Sequence, residues 1–110
     1  MGRLEKVVSL LKREISAIIL HKVDDKRIGM VSILNIKISP DLRHAKVFYS
    51  TLGDEEKRKK THFALKDATP YIRGELGKGL PLSVVPNIRF VYDDSIDKAD
   101  TLIQKINSLE

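Results

Sequence analysis

The side chains able to do chemistry are few and scattered. His21, His44 and His62 stand far apart and form no metal-ligand pattern with Asp or Glu. His62, on a basic helix, reads as a solvated residue. Asp24-Asp25 and Asp93-Asp94 are adjacent acids in a polar loop and at a helix start. There such pairs serve turns and caps rather than acid/base catalysis. No nucleophile, base and orienting group can be nominated together, and the absence of Cys removes thiolate catalysis, CxxC redox chemistry and disulfides. Gly74-Glu75-Leu76-Gly77-Lys78-Gly79 imitates two phosphate motifs. As a P-loop its glycine interval is too short and no Ser or Thr follows Lys78. As the GxxG clamp of a KH domain it falls at the end of a helix, and Glu75 would repel phosphate. Helix termination is the better reading. The expected catalytic, metal and cofactor assignments are therefore none.

The basic residues say more. The chain has 110 residues with 20 Lys+Arg against 15 Asp+Glu, a formal net charge of +5. Such a balance favours polyanions. Lys6, Lys12 and Arg13 mark the first segment, Arg27 a loop, Arg43 and Lys46 the start of a strand. Lys57 to Lys60, Arg73, Lys78 and Arg89 follow. Arginine's planar fork suits phosphate, which favours Arg27, Arg43 and Arg73. Aromatics are scarce, and Tyr49, Phe90 and Tyr92 fall at core strand positions. A base-stacking sheet of the RRM type is not expected. RNA contact would rest on backbone charge and shape.

These residues need elements to hold them. Leu4, Val7, Val8, Leu11, Ile15, Ile18 and Ile19 recur at helical spacing, which predicts a helix over 3–22. Met30 to Ser39 reads as a strand, with Ser32, Leu34, Ile36 and Ile38 on one side and Val31, Ile33, Asn35 and Lys37 on the other. Ser39-Pro40-Asp41-Leu42 is a turn, and His44 to Leu52 the return strand of an antiparallel hairpin, with Ala45, Val47 and Tyr49 alternating against Lys46, Phe48 and Ser50. Asp54, Glu55 and Glu56 open a further helix. Pro70 interrupts its apolar pattern, which predicts two helices, about 54–68 and 70–78, with a kink at Ala68-Thr69-Pro70. Thr69 could cap the second, and the amides of Tyr71 and Ile72 could hold a phosphate. Ile88 to Tyr92 reads as a third strand and 95–109 as a last helix capped by Asp93-Asp94-Ser95. The length suits one domain, 1–110. The fold class is α+β, a two-layer sandwich of amphipathic helices on a small sheet. No stretch reaches the ~20 apolar residues of a membrane span, and the amphipathic N-terminus lacks the apolar run of a secretory signal.

In this order, the helix "RLEKVVSLLKREISAIIL", the loop "DDKRIGMVSI", the hairpin "ISPDLRHAKVFYSTLG", "ALKDATPYIRGEL" and "VPNIRFVYDDS" resemble the ribosome-binding factor A family over about residues 3–106. The specific parts are S-x-D-L-x-x-A-K-V and Y-I-R-x-E-L ahead of P-x-I-x-F-x-x-D-x-S. The resemblance implies a type II KH-like fold, α-β-β-α-kink-α-β, here followed by a C-terminal helix. The family's Ala-x-Gly kink falls at Ala68-Thr69-Pro70, with proline in the glycine's place. Lys26 stands where the family usually has proline before Arg27, and some relatives carry a longer polar tail beyond the position of Glu110.

The resemblance also implies a non-enzymatic assembly factor; the lack of a membrane span or secretory signal predicts a cytoplasmic protein with no membrane role, and a monomer is expected. Its partners would be the free 30S subunit and 16S rRNA. It would assist late maturation and 5′-end processing, with a link to cold growth and to assembly GTPases. On that reading Lys6, Lys12, Arg13, Arg27, Arg43, Arg73 and Lys78 contact phosphates, and Ala68, Thr69 and Pro70 shape the site. The alternative is a protein–protein interaction module whose charge aids solubility. A small enzyme ranks last, for want of a catalytic set.

Overall fold

The computed structural model describes residues 2–81 and 84–94. Its elements are α1 (Arg3–His21), β1 (Val31–Ile38), β2 (His44–Thr51), α2 (Glu55–Gly79) and β3 (Asn87–Tyr92). The helix expected over 95–109, with its Asp93-Asp94-Ser95 cap, lies outside the described residues.

The sheet order is β1-β2-β3. β1 and β2 pair antiparallel, as the Ser39–Leu42 turn requires. The Leu42 amide donates to the Ser39 carbonyl, and Asp41 Oδ1 accepts from Ser39 Oγ and the Arg43 amide. β3 pairs parallel to β2. Parallel neighbours need a crossover, and α2 supplies it. Both helices bury their apolar stripes on one face of the sheet. Leu11 and Ile15 of α1, Leu65, Ile72 and Leu76 of α2, and Val47, Tyr49 and Phe90 of the strands share a single core cluster. Each such side chain contributes on the order of 1.5–3 kcal/mol by leaving water.

Two expectations are corrected here. Strict alternation places Ile33 and Ile36 on opposite sides of β1, yet both are buried. A register shift between Ile33 and Asn35 inserts one extra residue and returns the strand to phase. Asn35 Oδ1 accepts from the Ile36 amide at 2.8 Å, so the irregularity keeps its donor satisfied. The bulge lets two isoleucines reach the core where a regular strand would bury only one.

The second correction concerns Ala68-Thr69-Pro70. The expected helices 54–68 and 70–78 are one helix of 25 residues, with Pro70 inside it. It starts at the Asp54 cap, whose carboxylate accepts from the Lys57 amide, and runs through Gly79. Tertiary packing overrides the local break: Ala64, Leu65, Ile72 and Leu76, on both sides of Pro70, are buried on the same sheet face. Thr69 therefore caps no new helix. Its hydroxyl donates back to the Leu65 carbonyl at 2.9 Å. The amides of Tyr71 and Ile72 spend their donors within the helix and are not a phosphate site. Proline still deprives the Lys66 carbonyl of its usual donor. Pro70→Ala restores that donor and is expected to stabilise the protein by about 1 kcal/mol, seen as a higher urea midpoint. A lower midpoint would show that the proline ring itself is needed.

Candidate nucleic-acid interface

The two layers of this fold meet at an exposed border along β3, an edge strand, beside α2. A groove of about 550 Å³ runs there. α2 contributes His62, Lys66, Thr69 and Pro70, spaced so that successive turns face the same way. β3 contributes Ile88, Arg89 and Phe90. Lys66 and Arg89 are exposed, one on each wall. The walls are thus cationic, and no Asp or Glu lines them.

His62 and Phe90 of the groove rest on the buried Tyr49 ring. Tyr49 is fully buried, its hydroxyl is hydrogen-bonded to His62 Nδ1 at 2.8 Å, and the two rings stack. Burial pushes the Tyr49 hydroxyl up to about 12. His62 is therefore not the solvated residue expected. Nothing in the helical spacing signalled this, because its partner comes from β2. Phe90 and Tyr92 meet the Tyr49 ring edge-on, and Arg58 donates to the Tyr92 hydroxyl at 3.0 Å. Arg58 of the basic run is thereby turned toward the sheet.

The seven cations expected at phosphates are not gathered in one place, and none lines this groove. Lys6, Lys12 and Arg13 are exposed on α1, with Lys6 and Arg13 a heptad apart and opposite the buried stripe. Arg43 is exposed at the hairpin end. Arg27 is a clasp: its guanidinium pairs with Asp25 at 2.7 Å and Asp67 at 3.1 Å, tying the loop after α1 to α2. Those bonds hold the Asp25 carboxyl below the usual carboxylate range and raise Arg27. The buried Thr61 hydroxyl reinforces the clasp by donating to the Arg27 carbonyl. Lys78 pairs with Glu75, which also takes Lys22 at 2.9 Å. Glu75 is held below its ordinary range first by Lys22 and then by Lys78. Arg73 is half-buried and donates from Nε to the Pro86 carbonyl and from Nη2 to that of Val85. Of the three residues expected to shape the site, Thr69 and Pro70 line the groove, and Ala68 packs against the core. Sequence reasoning missed Lys66 as a site residue. Its signal is weak, one lysine a single turn before the proline.

Among the described residues no group of three His, Asp or Glu could hold a metal ion, and no helix is long and apolar enough to cross a membrane.

Comparison with known proteins gives a consistent answer. The family model described as Ribosome-binding factor A matches residues 3–106. A ribosome-binding factor A from Halothermothrix orenii is 44% identical over 111 residues, covering 98% of this chain and 91% of that one. The crystal structure of ribosome-binding factor A from Thermus thermophilus superposes with a TM-score of 0.71 at 20% identity, over 84% of this chain and 97% of that one. A homology model of the Thermus thermophilus protein, fitted into the cryo-EM map of a 30S–RbfA complex, superposes with a TM-score of 0.67 at 20% identity, over 86% and 97% of the two chains. At that identity these structures bear on the fold, which is KH-like.

Proposed function

The chain belongs to the ribosome-binding factor A family, and from that premise we propose that it binds the free 30S small ribosomal subunit and assists its late maturation. The observation that carries this reading is the match from residue 3 to residue 106. The Thermus relative placed in a 30S map supports it. So does the cationic groove between α2 and β3, since a polyanion is what Lys66 and Arg89 suit.

On this reading the protein acts without catalysis, as a monomeric single domain of the cytoplasm, and its partner surface is 16S rRNA. Lys66 and Arg89 hold phosphates in the groove. Lys6, Lys12, Arg13 and Arg43 extend the contact over α1 and the hairpin end. Arg27 and Lys78 reach phosphate only by exchanging their carboxylate partners. Arg73 acts indirectly, by holding the chain that leads into β3. The bound protein promotes processing of the 16S rRNA 5′ end, matters most in the cold, and is released with the help of assembly GTPases.

Sucrose-gradient sedimentation of a cell lysate, probed for this protein, tests the partner. Co-migration with free 30S subunits and not with translating ribosomes is expected. A protein that stays at the top of the gradient at low salt excludes the reading.

A further inference from the structure

Helices cover one face of the sheet, and the opposite face carries an arrangement that folding does not explain. In register, Lys37 lies beside Lys46, and Lys46 beside Arg89. Their neighbours along the strands, Ile36, Ala45, Val47 and Phe90, are buried under the helices. The three cations are exposed on the other side. They form one row across all three strands, spanning about 10 Å at the usual strand spacing. None of these strands contains an Asp or Glu. Among the described residues none of the three cations has a carboxylate within ion-pair distance. Like charges directly opposite each other weaken a sheet. The row is a cost to the fold that a bound anion would remove.

The adjacent row is Asn35, Phe48 and Val91. Phe48 is half-buried on this face, and Lys37 Nζ sits 5.5 Å from its ring centroid. An aromatic ring among cations is the pairing that holds an unpaired nucleotide, charge for the backbone and a plane for the base. A duplex keeps its base planes stacked inside and would leave Phe48 unused. An acidic peptide would likewise satisfy the cations alone. Arg89 also lines the α2–β3 groove, so the face continues from that groove around the edge strand.

We infer that the sheet face opposite the described helices, through the Lys37–Lys46–Arg89 row and Phe48, binds a single-stranded RNA segment beyond the α2–β3 groove, with Arg89 shared between the two. This rests on the reading of the protein as an rRNA binder.

The test is fluorescence anisotropy of the full chain with a labelled single-stranded RNA 12-mer, a labelled RNA duplex and a labelled poly-glutamate peptide, over a salt series. Lys37→Ala/Lys46→Ala is the main variant, Arg89 being kept because the groove shares it. Its affinity for the single strand is expected to fall about tenfold. Its slope of log K against log salt should drop by roughly 1.4, from two contacts at ~0.7 each. Duplex affinity should fall less. Phe48→Leu keeps the apolar bulk and loses the ring. It is expected to weaken single-strand binding roughly tenfold with an unchanged slope. The double variant should melt at or above the wild-type temperature, because the like-charge repulsion is gone, which separates lost binding from lost fold. If the double variant keeps both affinity and slope while Lys66→Ala lowers them, the sheet face is excluded and RNA binding through the groove stands. If the wild type binds neither RNA, the sheet face and the rRNA reading fail together. Binding of poly-glutamate as tight as that of the single strand excludes RNA in favour of an acidic protein partner.

Discussion

A Lys66→Glu variant is expected to bind small subunits between tenfold and a hundredfold more weakly while keeping the wild-type fold. Lys66 is exposed on α2, and among the described residues no carboxylate pairs with it. Its charge is thus available to a ligand in the groove it shares with Arg89. Reversal changes the local charge by two units. One unit at ~4 Å from a phosphate amounts to ~1 kcal/mol in water and more where solvent is partly excluded. Each ~1.4 kcal/mol is a factor of ten. Lysine and glutamate have similar helix propensity, so α2 itself should be unaffected. The measurement is subunit binding at two salt concentrations beside a circular-dichroism melt. Binding within twofold of wild type at both salts, with an unchanged melt, would remove the groove from the interface.

Arg73→Ala is expected to destabilise the protein by about 2 kcal/mol. Both bonds of the guanidinium go to main-chain carbonyls, Pro86 at 3.0 Å and Val85 at 3.1 Å. Hydrogen bonds from a charged donor contribute ~1.5–3 kcal/mol each when well buried. Arg73 is half-buried, so the pair is discounted to the lower part of that range. The residues it holds lead directly into β3, whose first amide, Asn87, donates to the Arg43 carbonyl. A fall in melting temperature of roughly 8 °C is expected. Arg73→Lys should recover little, because an ammonium cannot present two donors in one plane. A midpoint equal to wild type would mean that water replaces both bonds without loss. The same variant should weaken RNA binding only as far as β3 is loosened. A large binding defect in fully folded protein would return Arg73 to the phosphates.

Much of the architecture was legible from periodicity. The α1 stripe, the alternation of Ala45, Val47 and Tyr49, the Asp54 start of α2 and the position of β3 all follow from local pattern and turn chemistry. What escaped depends on partners distant in the chain. The helical surroundings of His62 do not reveal that Tyr49 of β2, thirteen residues earlier, lies under α2 and bonds its Nδ1. Nor does arginine's affinity for phosphate reveal that Arg73 is already engaged by Val85 and Pro86.

Pro70 marks the boundary between the two kinds of information. By itself proline dictates a lost donor and a crowded turn, and both remain in the folded chain. Whether that ends the helix was settled elsewhere, by apolar residues on either side that gain more from one continuous face on the sheet than the break costs. Charge behaves in the same way. The sequence alone determined that the protein is basic, how many cations it has and which family it resembles. Only the tertiary structure decided which of them are used up. It turned Arg27 and Arg73 into clasps, brought Lys66 and Arg89 to one groove, and set Lys37, Lys46 and Arg89 in a row. Pairing and register between strands are long-range, and they alone bring those charges together.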